Sequence, residues 1–319
     1  MRTTAGEALA DRLTPCGPTL DSPGLETLKA QLFEACPGSP LETAWPALAP
    51  VFAASPYLAS LARRRPGALG DMLGASPEAT LTDILMRTEA LTGGVEDLKQ
   101  PLRQAKADLH LLTALADLGG VWDLVAVTAA LSRFADTTSQ AALRAVAHDL
   151  RERGRLISSP DPDNPVPGLF GLAMGKHGAM ELNYSSDIDI SLFYDPERLR
   201  GALADGVEPQ RTADRAAQAF AALMSERTGD GYVFRVDLRL RPDPSSTPPV
   251  VAVPMALDYY EGVGQNWERA AFIKARAMLG DIDAGRRFLE ALIPFVWRRS
   301  LDYQAILDVQ SIKRQIHVH

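Results

Sequence analysis

Asp187 and Asp189 flank one isoleucine in the segment Ser-Ser-Asp-Ile-Asp, and an apolar run follows at once. Side chains alternate along a strand, so a strand over Asp187–Tyr194 puts both carboxylates on one face, roughly 7 Å apart. Ile188, Ile190 and Leu192 then point the other way. Two carboxylates at the mouth of a buried strand are costly, and a divalent cation is the usual compensation. Asp237 adds a third acid. In Tyr232–Arg241, Val233, Arg235, Asp237, Arg239 and Arg241 alternate with Phe234, Val236, Leu238 and Leu240, the period of a half-buried strand. Three carboxylates on two strands can cage Mg²⁺, which prefers oxygen ligands and leaves positions open for substrate phosphates. Two such ions can clamp the attacking and leaving oxygens of an in-line phosphoryl displacement. A bare Asp-x-Asp is short and common, and alone it reads as a strand end with ion-paired neighbours. The third aspartate shifts the reading to a site.

Basic groups lie close by. Arg239 and Arg241 share the Asp237 face, and a guanidinium fork matches phosphate oxygens. Charge balance on a half-exposed strand explains them about as well. Lys274 and Arg276 are weaker candidates, since basic residues on a late helix are usually surface. Gly175-Lys176 does not make a P-loop: three residues separate Gly171 from Gly175, and His177 follows the lysine. The glycine-rich turn could still bring backbone N–H groups to a phosphate. No G-x-S-x-G elbow, H-E-x-x-H pair or close cysteine pair points to another chemistry. His110 and His148 read as structural, Trp267 as core, and His317 and His319 as accidents of position.

The elements around these residues fall into two styles. Up to about Gly154 the chain reads as helices only, among them Leu25–Leu32, Thr80–Leu91, Leu98–Leu118, Trp122–Phe134 and Gln140–Arg153. Arg151–Pro167, rich in Pro, Asp, Asn and Ser, reads as a connector. A buried strand over Leu169–Met174, the Gly175–Gly178 turn, the Asp187–Tyr194 strand, an amphipathic helix over Pro209–Arg227 and the Tyr232–Arg241 strand follow. Pro242–Pro249 is a loop, and Met255–Glu261, Asn266–Met278, Arg286–Phe295 and Leu301–His319 read as helices. The last stops without a cap, as in a fragment of a longer chain. The expected class is α+β: a helical region over 1–153, a small mixed-sheet domain over 154–262, and a truncated helical segment over 263–319.

The chain has 319 residues, 46% hydrophobic and 23% charged, with a net charge of −7. That acidic balance disfavours wholesale nucleic-acid binding. There is no transmembrane-length apolar run and no signal-peptide h-region. Cys16 and Cys36 are too few for a disulfide framework. A reduced, cytoplasmic, bacterial setting without membrane or nucleic-acid partners is the expectation.

Gly175-Lys176, then Asp187-Ile-Asp189, then Asp237 on a later strand resembles the DNA polymerase beta-type nucleotidyltransferase superfamily, with Lys176 a departure from its usual Gly-Ser or Gly-Gly. The longer blocks MGKHGAMELNYSSDIDI, FRVDLRLRP and NWERAAFIKARAMLGD closely resemble the bifunctional glutamine synthetase adenylyltransferase/adenylyl-removing enzyme family. The resemblance runs from about Gly168 to the C-terminus. His177, Ala179 and Met180 depart from the family's commonest wording, KLGGRE. The resemblance implies a polymerase-beta-like fold and a metal-dependent transfer of AMP on glutamine synthetase. Asp187, Asp189 and Asp237 would hold Mg²⁺ or Mn²⁺, while Gly175, Lys176, Ser186, Arg239, Arg241 and Lys274 would contact nucleotide or phosphate. Family chains carry two such domains. The position of the motifs after a helical first half implies the adenylyl-removing one, which uses inorganic phosphate and releases ADP. An adenylylating domain using ATP, or a non-catalytic module docking glutamine synthetase or a PII signalling protein, are the alternatives. Glutamine synthetase and PII are the implied partners.

Overall fold

The computed structural model describes residues 6–297, so the helix expected over Leu301–His319, with His317 and His319, lies outside the described residues. The chain forms two compact units, one of residues 1–91 with 100–134 and the other of 92–99 with 135–319. The expected α+β class holds, with helices first and a small mixed sheet after them.

The first unit is built from α1 (Leu9–Arg12), α2 (Leu25–Ala35), α3 (Leu41–Ala54), α4 (Pro56–Arg64), α5 (Pro66–Gly74), α6 (Pro77–Glu89) and parts of α7 (Val95–Leu118) and α8 (Leu124–Glu152). Leucines at helical spacing fill its core, with Leu9, Leu28, Leu32, Leu48, Leu61, Leu69 and Leu73 almost fully buried. Serines start two of these helices: Ser55 accepts from Leu58 N before Pro56, and Ser76 accepts from Ala79 N before Pro77. Arg65 forks both oxygens of buried Asp108 at 2.7 Å. His110 is structural, as expected. Its Nδ1 meets Tyr57 Oη at 2.9 Å, and burial lowers its pKa to about 3.

Two sequence expectations fail in α8. Trp122–Phe134 and Gln140–Arg153 are one helix, not two. The polar run Thr137-Thr138-Ser139 lies inside the helix, where Thr138 Oγ1 bonds back to Ala135 O at 3.2 Å. The compact units accordingly divide inside α8, at Phe134/Ala135, rather than at Arg153.

The second unit holds β1 (Leu169–Ala173), the single turn α9 (Gly175–Gly178), β2 (Ile188–Tyr194), α10 (Pro196–Ala202), α11 (Pro209–Ser225), β3 (Val236–Asp237), β4 (Val250–Ala252), α12 (Val253–Gly262), α13 (Asn266–Phe272), β5 (Arg276–Gly280), α14 (Ile282–Ala291) and α15 (Ile293–Val296). The five-stranded sheet runs β3-β2-β1-β5, and β4 also joins β2. β1 lies between β2 and β5, antiparallel to both. The other side of β2 is shared: β3 pairs with its first residues and β4 with its last, both parallel. The core on one sheet face gathers Phe170, Leu172, Phe193, Tyr260, Phe272, Phe288 and Phe295. Phe193 stands 4.5 Å from Phe288 between ring centroids.

Three expectations in this unit change. The strand over Tyr232–Arg241 shrinks to Val236–Asp237, because the flanking backbone N–H groups bond locally: Val233 and Phe234 to Met224 O, Arg239 to Asp237 Oδ1 and Arg241 to Arg239 O. Asn266–Met278 is not one helix: α13 stops at Phe272, and Arg276–Gly280 becomes β5, so part of the 263–319 segment belongs to the sheet. Periodicity alone cannot separate a short apolar strand from a helix, and pairing with β1 decides it. Trp267 is 41% exposed rather than core, since α13 turns Glu268 and Phe272 inward. β1, β2 and α11 match their expected positions to within two residues, and α11 buries the expected Ala213, Ala216, Ala217, Phe220, Leu223 and Met224.

Candidate functional site

The parallel pairing of β2 with β3 puts Ile188 opposite Val236 and Asp189 opposite Asp237. Residues paired in register share a sheet face, so Asp189 and Asp237 stand side by side. Asp187 lies two positions before Asp189, at the strand mouth. The site is thus made where two strands begin, with each acid placed by backbone pairing: Ile188 N donates to Arg235 O at 2.9 Å, and Met174 N donates to Asp189 O at 2.9 Å.

The three acids differ in their surroundings. Asp187 is taken by Arg235 Nε, while the same guanidinium donates to Ser185 O at 2.8 Å. Asp237 is held by Arg239, whose Nε reaches its two oxygens at 3.0 and 2.9 Å and whose backbone N donates at 2.8 Å. These bonds pull the Asp237 pKa below the usual carboxylate range. The Asp189 carboxylate receives no hydrogen bond among the described residues, and its pKa is raised, first by burial and then by the charges of Asp237 and Asp187. Among the described residues no three His, Cys, Asp or Glu side chains are drawn together as a formed metal cluster. Two of the acids are turned to arginines. The donor set nevertheless suits a hard cation: three carboxylates, one of them partly buried and without a direct ion pair among the described residues.

The turn beside Asp189 is tightly specified. Gly175 has φ +54°, and a Cβ on it would stand 3.0 Å from Asp189 Oδ2. Gly178 has no room for a side chain, since a Cβ would fall 2.1 Å from Lys274 O. Lys176 is exposed and makes no ion pair among the described residues. Ser186 Oγ bonds Asn183 Oδ1 at 2.7 Å in the loop that leads to Asp187.

The other basic candidates separate. Arg239 is 83% exposed beyond its bond to Asp237 and can reach a phosphate oxygen. Arg241 instead donates to Leu238 O at 2.6 Å, Pro244 O at 3.0 Å and Thr247 O at 3.2 Å. It holds the 238–249 loop together. Lys274 Nζ pairs with Glu181 Oε2 at 2.7 Å on the surface. Arg276 is not a surface residue of a helix. It lies on β5 and grips Asp136 with Nη1 at 2.8 Å and Nη2 at 3.0 Å. Asp136 is the residue sequence reasoning missed. Its partners His177 and Arg276 lie 41 and 140 positions away, so no local spacing announces it.

The model of the family described as glutamate-ammonia ligase adenylyltransferase matches residues 45–291. The bifunctional glutamine synthetase adenylyltransferase/adenylyl-removing enzyme of Caulobacter vibrioides is 55% identical across 99% of this chain and 32% of its own length. Proteins of the same description from Bradyrhizobium sp. (strain BTAi1) and Xanthobacter autotrophicus are 49% and 47% identical, over 83% and 82% of this chain and 27% of each relative. The chain therefore spans about a third or less of the length of these curated relatives. Among the described residues no helix is long and apolar enough to cross a membrane.

Proposed function

The chain belongs to the glutamate-ammonia ligase adenylyltransferase family, and from that premise we propose that its second unit transfers AMP on glutamine synthetase, in the removing direction. Inorganic phosphate attacks the α-phosphorus of an adenylyl-tyrosine, the P–O bond to tyrosine breaks, and ADP and tyrosine phenolate result. The phenolate then takes a proton from water. The observation that supports this reading best is the register of Asp189 with Asp237, which leaves the Asp189 carboxylate desolvated, among like charges and without a direct ion pair among the described residues. Asp187, Asp189 and Asp237 would hold Mg²⁺ or Mn²⁺, which when bound supplies Lewis-acid charge to the phosphoryl oxygens and the leaving phenolate.

The chain's own groups do the rest. Arg239 is anchored through Asp237 yet exposed, so its free donors can orient an incoming phosphate. Lys176 adds a second positive charge at the rim. Gly175 keeps the turn backbone close to Asp189. Ser186 and Lys274 are lesser candidate contacts, while Arg241 keeps the 238–249 loop in shape. The PII signalling protein stands as a partner on the resemblance alone. The same carboxylates serve either direction, so products decide: adenylylated glutamine synthetase, phosphate and Mg²⁺ should give ADP. Pyrophosphate from ATP and unmodified synthetase, without ADP in the first assay, would reverse the direction. Neither product would sink the reading.

A further inference from the structure

We propose that Asp136 is a positioning residue for the Gly175–Gly178 turn, acting through His177 and Arg276; the inference rests on the proposed AMP transfer at Asp189. The turn touches the candidate site on one side, where Gly175 abuts the Asp189 carboxylate. On its other side it is clamped. His177 is its one large buried side chain, 1% exposed, and Nε2 lies 2.8 Å from Asp136 Oδ1. Both terminal nitrogens of Arg276 fork the same carboxylate, and Nη2 also donates to the carbonyl oxygen of His177 at 3.4 Å. The contacts close a ring: Asp136 to the imidazole, the His177 carbonyl to Arg276, and Arg276 back to Asp136. Three elements distant in sequence, α8, α9 and β5, are tied at one carboxylate.

The protonation pattern follows from the same contacts. Asp136 accepts from both arginine nitrogens, so it meets His177 Nε2 as an acceptor and the proton sits on Nε2. His177 Nδ1 is buried and has no hydrogen-bond partner.

Geometry makes the clamp relevant to the chemistry. Backbone contact leaves the turn no slack at Gly178, and a displacement of about 1 Å at a reacting group costs on the order of a hundredfold in rate. Asp136 itself touches neither the acids nor the phosphate contacts proposed above.

The experiment compares wild type, Asp136→Ala and His177→Gln in the full chain. Glutamine at 177 can still offer Asp136 an N–H. Asp136→Ala is expected to lower kcat for ADP release about ten- to hundredfold with KM for adenylylated synthetase unchanged, and to speed amide exchange over residues 175–182. His177→Gln is expected to stay within a few-fold of wild type in both readouts. A kcat for Asp136→Ala within twofold of wild type, a loss confined to KM, or unchanged exchange at 175–182 would each overturn the clamp. Absence of ADP from the wild type would instead defeat the proposed reaction, and the exchange measurement would still judge the clamp.

Discussion

One face of β2 carries opposite physics at its two ends. At its start Asp189 pairs in register with Asp237, and its carboxylate has no donor among the described residues. At its far end Phe193 pairs with Phe170 and with Val251, and its ring stacks on Phe170 and Phe288. Between them Ser191 donates its hydroxyl to Leu240 O. The same strand is therefore a rigid, apolar foundation at one end and a strained, charged mouth at the other. In the proposed function, the second unit is stabilised where β4 joins and reacts where β3 joins. Such division of labour is expected where a site must hold like charges that the fold would otherwise reject.

The largest effect should come from the charged end. Asp189→Asn is expected to lower the rate of ADP release about a thousandfold or more, the scale of losing several kcal/mol of charge stabilisation, while circular dichroism stays that of wild type. A rate within tenfold would mean that Asp189 is not at the reacting centre. Next comes the apolar end: Phe193→Ala should cost about 3–5 kcal/mol of unfolding free energy in denaturant titration. It should do so without weakening Mn²⁺ binding per folded molecule. Weakened ion binding at full folding would show that the two ends are coupled. Arg241→Ala, which frees three loop carbonyls, is expected to cost about 1–3 kcal/mol and to raise protease sensitivity in the 238–249 loop.

The smallest effect is a pH signature, measured in chelator. The folded-state pKa of Asp189 is raised, so its ionisation disfavours the fold at neutral pH. That penalty fades as pH falls through the raised value toward the unfolded value of about 3.9. Asp189→Asn should therefore melt slightly higher than wild type at pH 7, with the difference vanishing near pH 4. An equal difference at both pH values would place the strain elsewhere.

The readable parts of the sequence were those governed by local pattern. The alternation after Asp187 fixes which side chains share a face, and the spacing in Pro209–Ser225 fixes a buried stripe, so β2 and α11 were legible residue by residue. Asp237 was also legible as the third acid, although the alternation that revealed it exaggerated its strand from two residues to ten. The arginines on that face keep the period of a strand while their backbone N–H groups bond locally, Arg239 to Asp237 Oδ1 and Arg241 to Arg239 O. β4 and β5 were missed because three and five residues carry no period of their own, and only β2 and β1 beside them select extended backbone. Asp136 was invisible for a related reason: one acid in an Ala-rich helix gains meaning only when a histidine and an arginine far along the chain fold against it.

The brevity of β3 has a consequence for how this chain can tolerate insertions and deletions. Two paired residues set which way Asp237 points, and strand faces alternate with every residue. One residue gained or lost between Ser225 and Val236 can be absorbed only by a bulge or by a slip. A slip would swap Val236 into the charged position and turn Asp237 toward the opposite face. Length changes in the 238–249 loop, by contrast, fall after the register has been set. Lineages of this chain should therefore vary in length after β3 and stay constant before it.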